Sequence, residues 1–407
     1  MSVAFARSVA ARAHLQAGFT LVELIIAALV VALVMSAVLA SASLAQATYR
    51  VHAEAADMDQ RTRVLVHALQ HDLTLAGAGL DQGPLAGALT QSFAPILPRA
   101  IGTDGPEAAT ASAITVRYVP AGSPQTTILD DLASGASAVR VATDGVCPAA
   151  DPVCGFSAGM QVAVFDGTGA YDLLTIADVQ GGALRFRAPT EGAILPLAAG
   201  AAITAVVSRS YYLNESEARV YRYDGFQSRV PLVDNIVQLA FEYRGEPVPP
   251  IARRNASDPI GPWTTYGPRP PPVGVPSPML DYGAGESCTF VVRDGQHAPR
   301  LDSWLGSLPA GSLVPIGIDR LGDGPWCPGR TTRAGVPAAG RFDADGLRIR
   351  SVRVTLRVQA GSPLVRGLNP AGRLLFSHPG TARSASSYLP DRVMSFEVTP
   401  ANLNLDR

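Results

Sequence analysis

Residues 17–37 read AGFTLVELIIAALVVALVMSA, and one carboxylate, Glu23, lies near the front of this otherwise apolar stretch. No charged residue occurs between Glu23 and Arg50. As a helix, the run is long enough to span a hydrocarbon core of about 30 Å. A charge inside such a span costs about 2.5–3.5 kcal/mol even on lenient scales, so Glu23 requires a specific explanation.

The residues before the apolar run predict its orientation. Arg7 and Arg12 precede it and no acidic residue does, so the N-terminus is expected to stay in the cytoplasm while the rest of the chain crosses the membrane. An ordinary cleaved signal peptide is one interpretation, because ASA at residues 40–42 fits the small-residue cleavage rule. The apolar region is too long for that interpretation and contains an acid. A plain membrane anchor leaves Glu23 unexplained.

The hexapeptide GFTLVE, residues 18–23, resembles the prepilin signature of type IV pilins and type II secretion pseudopilins. The resemblance implies that a prepilin peptidase cuts between Gly18 and Phe19 and that the new Phe19 amine is methylated. The leader of 18 residues is longer than is usual in the commonest subclass. Glu23 then becomes the fifth mature residue and can meet the Phe19 amine of a neighbouring subunit. Inside an apolar bundle this pair is weakly screened, so we interpret Glu23 as an assembly residue and not as a catalyst.

The pattern after the apolar run predicts that the helix continues. Apolar residues recur at helical spacing between residues 53 and 76, and the glycines of GAGL at 77–80 end the pattern. The predicted buried face consists of Met58, Leu65, Leu69, Leu73 and Ala76. The predicted soluble face consists of Asp59, Arg61, Arg63, His67, Gln70 and Asp72. A continuous helix over residues 19–76 would be about 85 Å long at 1.5 Å per residue.

Three further stretches are similar to minor pilins of the PilW type, and the first of them also resembles J-type pseudopilins. They are RTRVLVHALQHDLTLAGAGL at 61–80, FSAGMQVAVFDGTGAYDLLTI at 156–176 followed by VDNIVQLAFEY at 233–243, and DRVMSFEVTPANL at 391–403. The resemblance implies a pilin-like fold of the α+β class. It would have a long N-terminal helix followed by an antiparallel β-rich globular domain with an inserted β-subdomain.

Alternating and β-branched segments after residue 80 independently predict strands at 113–119, 136–142, 160–166 and 171–179. Three more are predicted within 209–225 and 235–245. DGTGA at 166–170 is interpreted as a hairpin turn, because it lacks the Lys and helix of a phosphate loop. In LRIRSVRVTLRV, residues 347–358, the alternation slips at Arg350 and Ser351, which predicts a β-bulge. Its arginines are expected to face away from the core as a solvated face, the alternative being contact with an acidic patch on another subunit. They are Arg348, Arg350, Arg353 and Arg357. Met394, Phe396 and Val398 of the last strand are expected on one side.

These elements predict a division of the chain into five parts. The leader occupies 1–18 and the long helix 19–80, of which 19–45 is the transmembrane and assembly segment. The β-rich domain with its inserted subdomain occupies 81–246, and the C-terminal strands at 341–407 complete the sheet. Between them, 247–340 is a Pro-rich insertion with loops, since residues 247–278 hold 11 prolines in 32 residues.

Composition and cysteine content limit the function classes. The chain is 16% charged with a net charge of −1, which gives no support for nucleic-acid binding. If the chain leaves the cytoplasm, its four cysteines are expected to form disulfides, for which three pairings exist. The sequential pairing, Cys147 with Cys154 and Cys288 with Cys327, is favoured over the other pairings and over four buried free thiols.

No motif of enzymatic or cofactor chemistry is present in the sequence, and no cofactor is predicted. His67 and His71 share a helix face, but two ligands are too few for a zinc site, so a solvated face is favoured. DADG at 343–346 begins like a calcium loop without the further ligands. No metal site is therefore predicted, and the chain is expected to be the substrate of a peptidase and methyltransferase.

The function favoured by the resemblance is that of a PilW-like minor pilin at or near the tip of a type IV pilus. Its partners would be other minor and major pilins and the prepilin peptidase. It would lie in the inner membrane with a periplasmic C-terminal domain before reaching the cell-surface pilus. Two alternatives remain open: a J-type minor pseudopilin of type II secretion, and a secreted adhesin with an ordinary signal peptide whose mature chain starts near Ser43.

Overall fold

The computed structural model describes much of the chain, which divides into two compact units, Met1–Ala55 and Ala56–Arg407. The described residues are 20–91, 93–98, 112–133, 137–143, 147–148, 150–167, 171–187, 196–225, 228–246, 270–277, 282–287, 290–299, 313–316, 347–363, 365–366 and 389–403.

A single helix, α1, runs over Leu21–Leu75. In the first unit its described side chains are almost all exposed, as expected for the apolar run. In the second unit the helix is amphipathic, and the five apolar residues predicted from their spacing are all buried. The helix ends where predicted. Gly79 has a φ of +69°, and a Cβ there would lie 2.6 Å from the Val119 carbonyl oxygen, so this turn requires glycine.

Seventeen strands follow among the described residues. They are β1 (Ile96–Pro98), β2 (Ala113–Tyr118), β3 (Gln125–Thr127), β4 (Ala138–Arg140), β5 (Gln161–Phe165), β6 (Tyr171–Gln180), β7 (Ala183–Phe186), β8 (Ala202–Ala205), β9 (Val207–Asn214), β10 (Arg219–Tyr223), β11 (Arg229–Asp234), β12 (Ile236–Gly245), β13 (Phe290–Arg293), β14 (Gln296–Pro299), β15 (Val314–Ile316), β16 (Ile349–Val358) and β17 (Arg392–Val398).

The strands form four antiparallel sheets. Their orders are β1-β2-β9-β10-β11, β15-β12-β16-β17, β13-β14 and β3-β8-β5-β6-β7-β4. The α+β class with an N-terminal apolar helix and an antiparallel β-rich domain is therefore confirmed. β5 pairs directly with β6, so DGTGA joins the two strands of a hairpin as predicted, with residues 168–170 outside the described part.

The six-stranded sheet closes on itself into a small barrel. Ile128 and Val141 form an antiparallel bridge between the ends of β3 and β4. The Leu129 N–H donates to the Arg140 carbonyl at 2.9 Å, and the Ala142 N–H donates to the Thr127 carbonyl at 2.9 Å. Because β2 and β9 are paired neighbours in the five-stranded sheet, the barrel between them is an insertion into that sheet.

Alternate residues of the barrel strands fill its interior, while the residues between them pack outside. Val162 and Val164 point inward, and Ala163 and Phe165 contact the segment that follows α1. Both faces of β5 are thus buried, which explains its unbroken apolar sequence. The outer cluster consists of Leu80, Leu89, Phe93, Val119, Ala163, Phe165, Tyr171, Ala202 and Val206.

The bulge predicted in β16 is present. Arg244 pairs with Ser351 and Gly245 pairs with Ile349, so Arg350 is the extra residue.

The prediction of a solvated arginine face along residues 347–358 is wrong in part. Arg348 is 1% exposed and its Nε donates to the Glu246 carbonyl at 2.9 Å. The other three arginines bind carboxylates of this same chain: Arg350 with Glu246, Arg353 with Glu397, and Arg357 with the buried Asp391. Arg348 and the Asp391 carboxylate are buried, and all four arginines bind acceptors of their own chain. The prediction of a solvated face fails for this reason.

The finer domain limits stay predictions, because most of 247–340 lies outside the described residues. One part of that range nevertheless joins the sheet, since β15 pairs with β12. β17 completes the same sheet, with Met394, Phe396 and Val398 in register with Leu356, Val354 and Val352 of β16.

Candidate assembly site

The apolar segment Leu21–Ala42 is the most unusual surface among the described residues. It contains 22 residues, is long and apolar enough to cross a membrane, and is not buried by the rest of the described chain. Its large apolar side chains up to Leu39 are 50–76% exposed. Exposed apolar surface costs about 25 cal/mol per Å², so this segment requires a lipid or protein environment.

Thr20 and Glu23 form a capping box at the start of α1. The Thr20 N–H and hydroxyl donate to Glu23 Oε2 at 2.9 and 3.0 Å, and the Glu23 N–H donates to Thr20 Oγ1 at 3.3 Å. These bonds satisfy backbone donors that have no partner within the helix. The carboxylate also lies at the positive end of the helix dipole. Glu23 therefore has a local role in one chain as well as the predicted role between chains.

Sequence reasoning missed this local role, although its signal is visible. Thr-Leu-Val-Glu at residues 20–23 matches the Ser/Thr-x-x-Glu pattern of a capping box ahead of an apolar run. Gly18 and Phe19, the predicted cleavage and methylation residues, lie outside the described residues. The pairing of Glu23 with a neighbouring Phe19 amine therefore stays a prediction.

Asp72 links the second half of α1 to the five-stranded sheet, and its assignment to the soluble face is wrong. It is completely buried. Tyr211 donates its hydroxyl to Oδ2 at 2.6 Å, Arg209 Nη1 donates to Oδ1 at 2.9 Å, and the Tyr118 hydroxyl lies 3.4 Å from Oδ1. Charge-assisted bonds from β9 on a buried carboxylate fix the rotation and height of the helix on the sheet.

The two tyrosines are held as proton donors. Burial, and then the Asp72 carboxylate, raises the pKa of Tyr211 far above its ordinary value. The same two causes, in the same order, raise the pKa of Tyr118. Both effects disfavour the phenolate, so both hydroxyls keep the proton that points toward Asp72.

Two further residues of the predicted soluble face bind the β-rich domain. Arg61 pairs with Asp57 at 2.5 Å within the helix and with Asp234 of β11 at 3.0 Å. Asp59 pairs with Arg392 of β17. The helix is therefore tied through charged groups to the five-stranded and the four-stranded sheets. His67 and His71, in contrast, are exposed as predicted.

A disulfide joins Cys147 and Cys154, with Cα atoms 4.6 Å apart, which fits the sequential pairing. Cys154 is buried in the barrel interior beside Val153 and Phe156. The Asp151 carboxylate accepts the N–H groups of Val153 and Gly155, both at 2.9 Å, and so shapes the loop. Cys288 and Cys327 lie outside the described residues.

The remaining candidate features are the possible metal sites and the Pro-rich stretch. No group of three or more His, Cys, Asp or Glu side chains suited to a metal occurs in the part of the chain that the structure describes. The DADG segment at 343–346 and most of the Pro-rich stretch lie outside that part. The candidate site is thus an exposed apolar helix that begins with one capped carboxylate. Such a helix is suited to insertion into a membrane and to packing against other apolar helices.

Comparison with known proteins identifies the N-terminal segment. The family described as "Prokaryotic N-terminal methylation motif" matches residues 14–39. The match includes Gly18, Phe19 and Glu23, and it supports a type IV pilin or pseudopilin-like protein. It implies processing by prepilin peptidase and assembly with other pilins in the inner membrane. Neither the curated proteins nor the solved structures give a significant match.

Proposed function

We propose that the chain is a PilW-like minor pilin, incorporated at or near the tip of a type IV pilus, where it helps to initiate assembly. The observation that carries this proposal is the exposed apolar segment Leu21–Ala42 with its single acid, inside a methylation motif. In the inner membrane the segment is covered by lipid. In a filament it is covered by the corresponding helices of neighbouring subunits.

Processing supplies a partner for Glu23 in the assembled state. Cleavage after Gly18 creates a cationic amine at Phe19, four positions before Glu23. The Glu23 carboxylate, held at the start of α1 by Thr20, can accept the Phe19 amine of an adjacent subunit. Leaving a buried charge without its partner costs about 3–5 kcal/mol, so misaligned subunits are strongly disfavoured.

The size of the β-rich unit supports a terminal position in the filament. Beyond the helix, the described residues form a five-stranded, a four-stranded and a two-stranded open sheet and, between β2 and β9, a closed six-stranded barrel. Such bulk restricts repetitive packing in a thin filament, whereas a tip position imposes no such limit. In this role the chain would support twitching motility, adhesion or DNA uptake.

The test compares a strain lacking the gene with strains complemented by the parent, Glu23→Gln and Ser36→Ala chains. Ser36 lies in the same apolar helix and hydrogen bonds only to a carbonyl of its own helix, that of Leu33, among the described residues, so Ser36→Ala is the matched control. We expect the deletion to reduce piliation and twitching. The parent and control should restore both. The Glu23→Gln chain should enter the membrane and be cleaved, but should not be found in sheared pili.

Two outcomes would contradict the proposal. Unchanged piliation, twitching and DNA uptake in the deletion strain would exclude a role in pilus assembly, and loss of protein secretion instead would favour the J-type pseudopilin. N-terminal sequencing of the mature chain is the second test. A methylated Phe19 supports the pilin class, whereas a start near Ser43 would support the secreted module.

A further inference from the structure

We propose that His67 and His71 form a two-histidine chelate for a divalent first-row transition cation, with Cu²⁺ as the tightest binder. The proposal is independent of the assembly role, because it concerns the half of α1 in the second unit. It rests on the spacing of the two side chains, on the direction in which they point, and on the rigidity of the helix beneath them.

The two imidazoles lie side by side on one face of the helix. They are four residues apart on α1, where side chains on one face have Cβ atoms about 5–6 Å apart. Their ring planes are 1° from parallel and their centroids are 6.4 Å apart. Small side-chain rotations bring one nitrogen of each ring to a common cation at the usual distance of about 2.0–2.1 Å.

The pair is open to solvent because it lies opposite the buried stripe of the helix. Leu65, Leu69 and Leu73 are fully buried against the β-rich domain. With 3.6 residues per turn, His67 and His71 point about 180° away from the centre of that stripe. Both are exposed, so a hydrated cation reaches them freely.

Packing beneath the pair makes it pre-organised. The buried leucines and the Asp72 network hold this part of α1 as a rigid helix. Binding the cation therefore orders only two side chains and no backbone, which lowers the entropic cost of chelation. Once one imidazole is bound, the second acts at a high effective concentration.

The donor set selects the class of cation. Imidazole suits Cu²⁺, Ni²⁺ and Zn²⁺, and Cu²⁺ is strongest in the Irving–Williams order, whereas Ca²⁺ and Mg²⁺ require oxygen ligands. Since no third His, Cys, Asp or Glu completes a cluster among the described residues, water fills the other coordination positions. The site is thus an exchangeable surface chelate and not a closed structural zinc site, which would need four protein ligands.

The experiment titrates the full-length protein in detergent with Cu²⁺, Zn²⁺ and Ca²⁺ by calorimetry, with electron paramagnetic resonance of the Cu²⁺ form. The variants are His67→Ala, His71→Ala and, as matched control, His52→Ala, which removes an exposed histidine of the same helix. We expect each of the first two variants to bind Cu²⁺ at least about tenfold more weakly, because the chelate becomes a single ligand. The control should bind as the parent does, Zn²⁺ should bind more weakly than Cu²⁺, and Ca²⁺ should not bind.

The electron paramagnetic resonance spectrum distinguishes the loss of one imidazole ligand from a defect in folding. Coupling to two imidazole nitrogens is expected in the parent, and to one in either single variant, while circular dichroism of the metal-free variants stays unchanged. Parent-like Cu²⁺ affinity in His67→Ala or His71→Ala would overturn the proposal. An equal loss in His52→Ala would overturn it as well, since binding would then not be specific to the pair.

Discussion

Replacing Asp72 with alanine tests whether the buried carboxylate secures α1 on the sheet. The change removes the acceptor of Tyr211 and Arg209, and that of the more distant Tyr118 hydroxyl. Removing one partner of a buried pair costs about 3–5 kcal/mol, because the remaining polar groups stay desolvated. The Arg209 side chain is 33% exposed, so water compensates part of this loss. We therefore expect destabilisation near the lower limit, about 3 kcal/mol.

The assay is urea unfolding of the β-rich unit in the full-length protein, held in detergent and followed by tyrosine fluorescence and circular dichroism. Asp57→Ala is the matched control, since Asp57 lies on the same helix with a half-exposed carboxylate, and its partner Arg61 keeps a second ion pair with Asp234. The loss of Asp57 should cost less than about 1 kcal/mol. Tyr211→Phe alone should cost about 1.5–3 kcal/mol, because it deletes a short hydrogen bond to a charged group.

A double-mutant cycle then isolates the interaction. Asp72→Ala combined with Tyr211→Phe should be less destabilising than the sum of the two single changes, by about 0.5–3 kcal/mol. Equal losses for Asp72→Ala and Asp57→Ala, or strict additivity in the cycle, would refute the view that Asp72 holds the helix through this network.

Three other predictions concern the same unit. Because the folded-state pKa of Tyr211 is raised, its contribution to stability is present below the unfolded pKa of about 10 and is lost as the pH rises above it. Unfolding midpoints measured from pH 9 to 11 should therefore fall less steeply in Tyr211→Phe than in the parent, and equal slopes would contradict this. Replacing Cys147 and Cys154 with serine should destabilise the barrel by about 2–3 kcal/mol, measured by limited proteolysis within the inserted segment; unaltered cleavage rates would count against it. Gly79→Ala should lower stability more than Gly122→Ala, since both have positive φ but only Gly79 has a backbone oxygen within 2.6 Å of the new Cβ. Calorimetric unfolding of both variants compares them, and an equal loss would show that the Val119 backbone yields.

Local patterns in the sequence predicted the helix and many of the strands, but not strands such as β1, β3, β8 and β13. The apolar run and the helical spacing after it gave α1 with its buried leucines, and strand patterns gave β2, β5, β6, β12 and β16 with its bulge at Arg350. These features depend on residues close together in the chain, where the 3.6- and 2-residue periods act directly. The capping box of Thr20 and Glu23 was equally available, because its signal spans four residues.

Helical spacing predicts the face of α1 on which Asp72 lies, but not the residues that bind its carboxylate. Asp72 is three residues after Leu69 and four before Ala76, so helical spacing places it on the apolar face, and only its charge suggested solvent. Whether a carboxylate on that face is tolerated depends on donors from β9, more than 130 residues away in the sequence. The burial of Arg348 depends in the same way on the distant Glu246 carbonyl.

By itself, then, the sequence determined the membrane-length helix, its capped acid and many of the strands, because local periodicity and charge suffice for each. Only the tertiary structure decided that the strands between β2 and β9 close into a barrel, and which charged residues are buried. Both depend on contacts between separate segments, such as Ile128 with Val141 and Asp72 with Tyr211. Removing the polar groups of these residues from water is favourable only when their hydrogen-bond partners are in place.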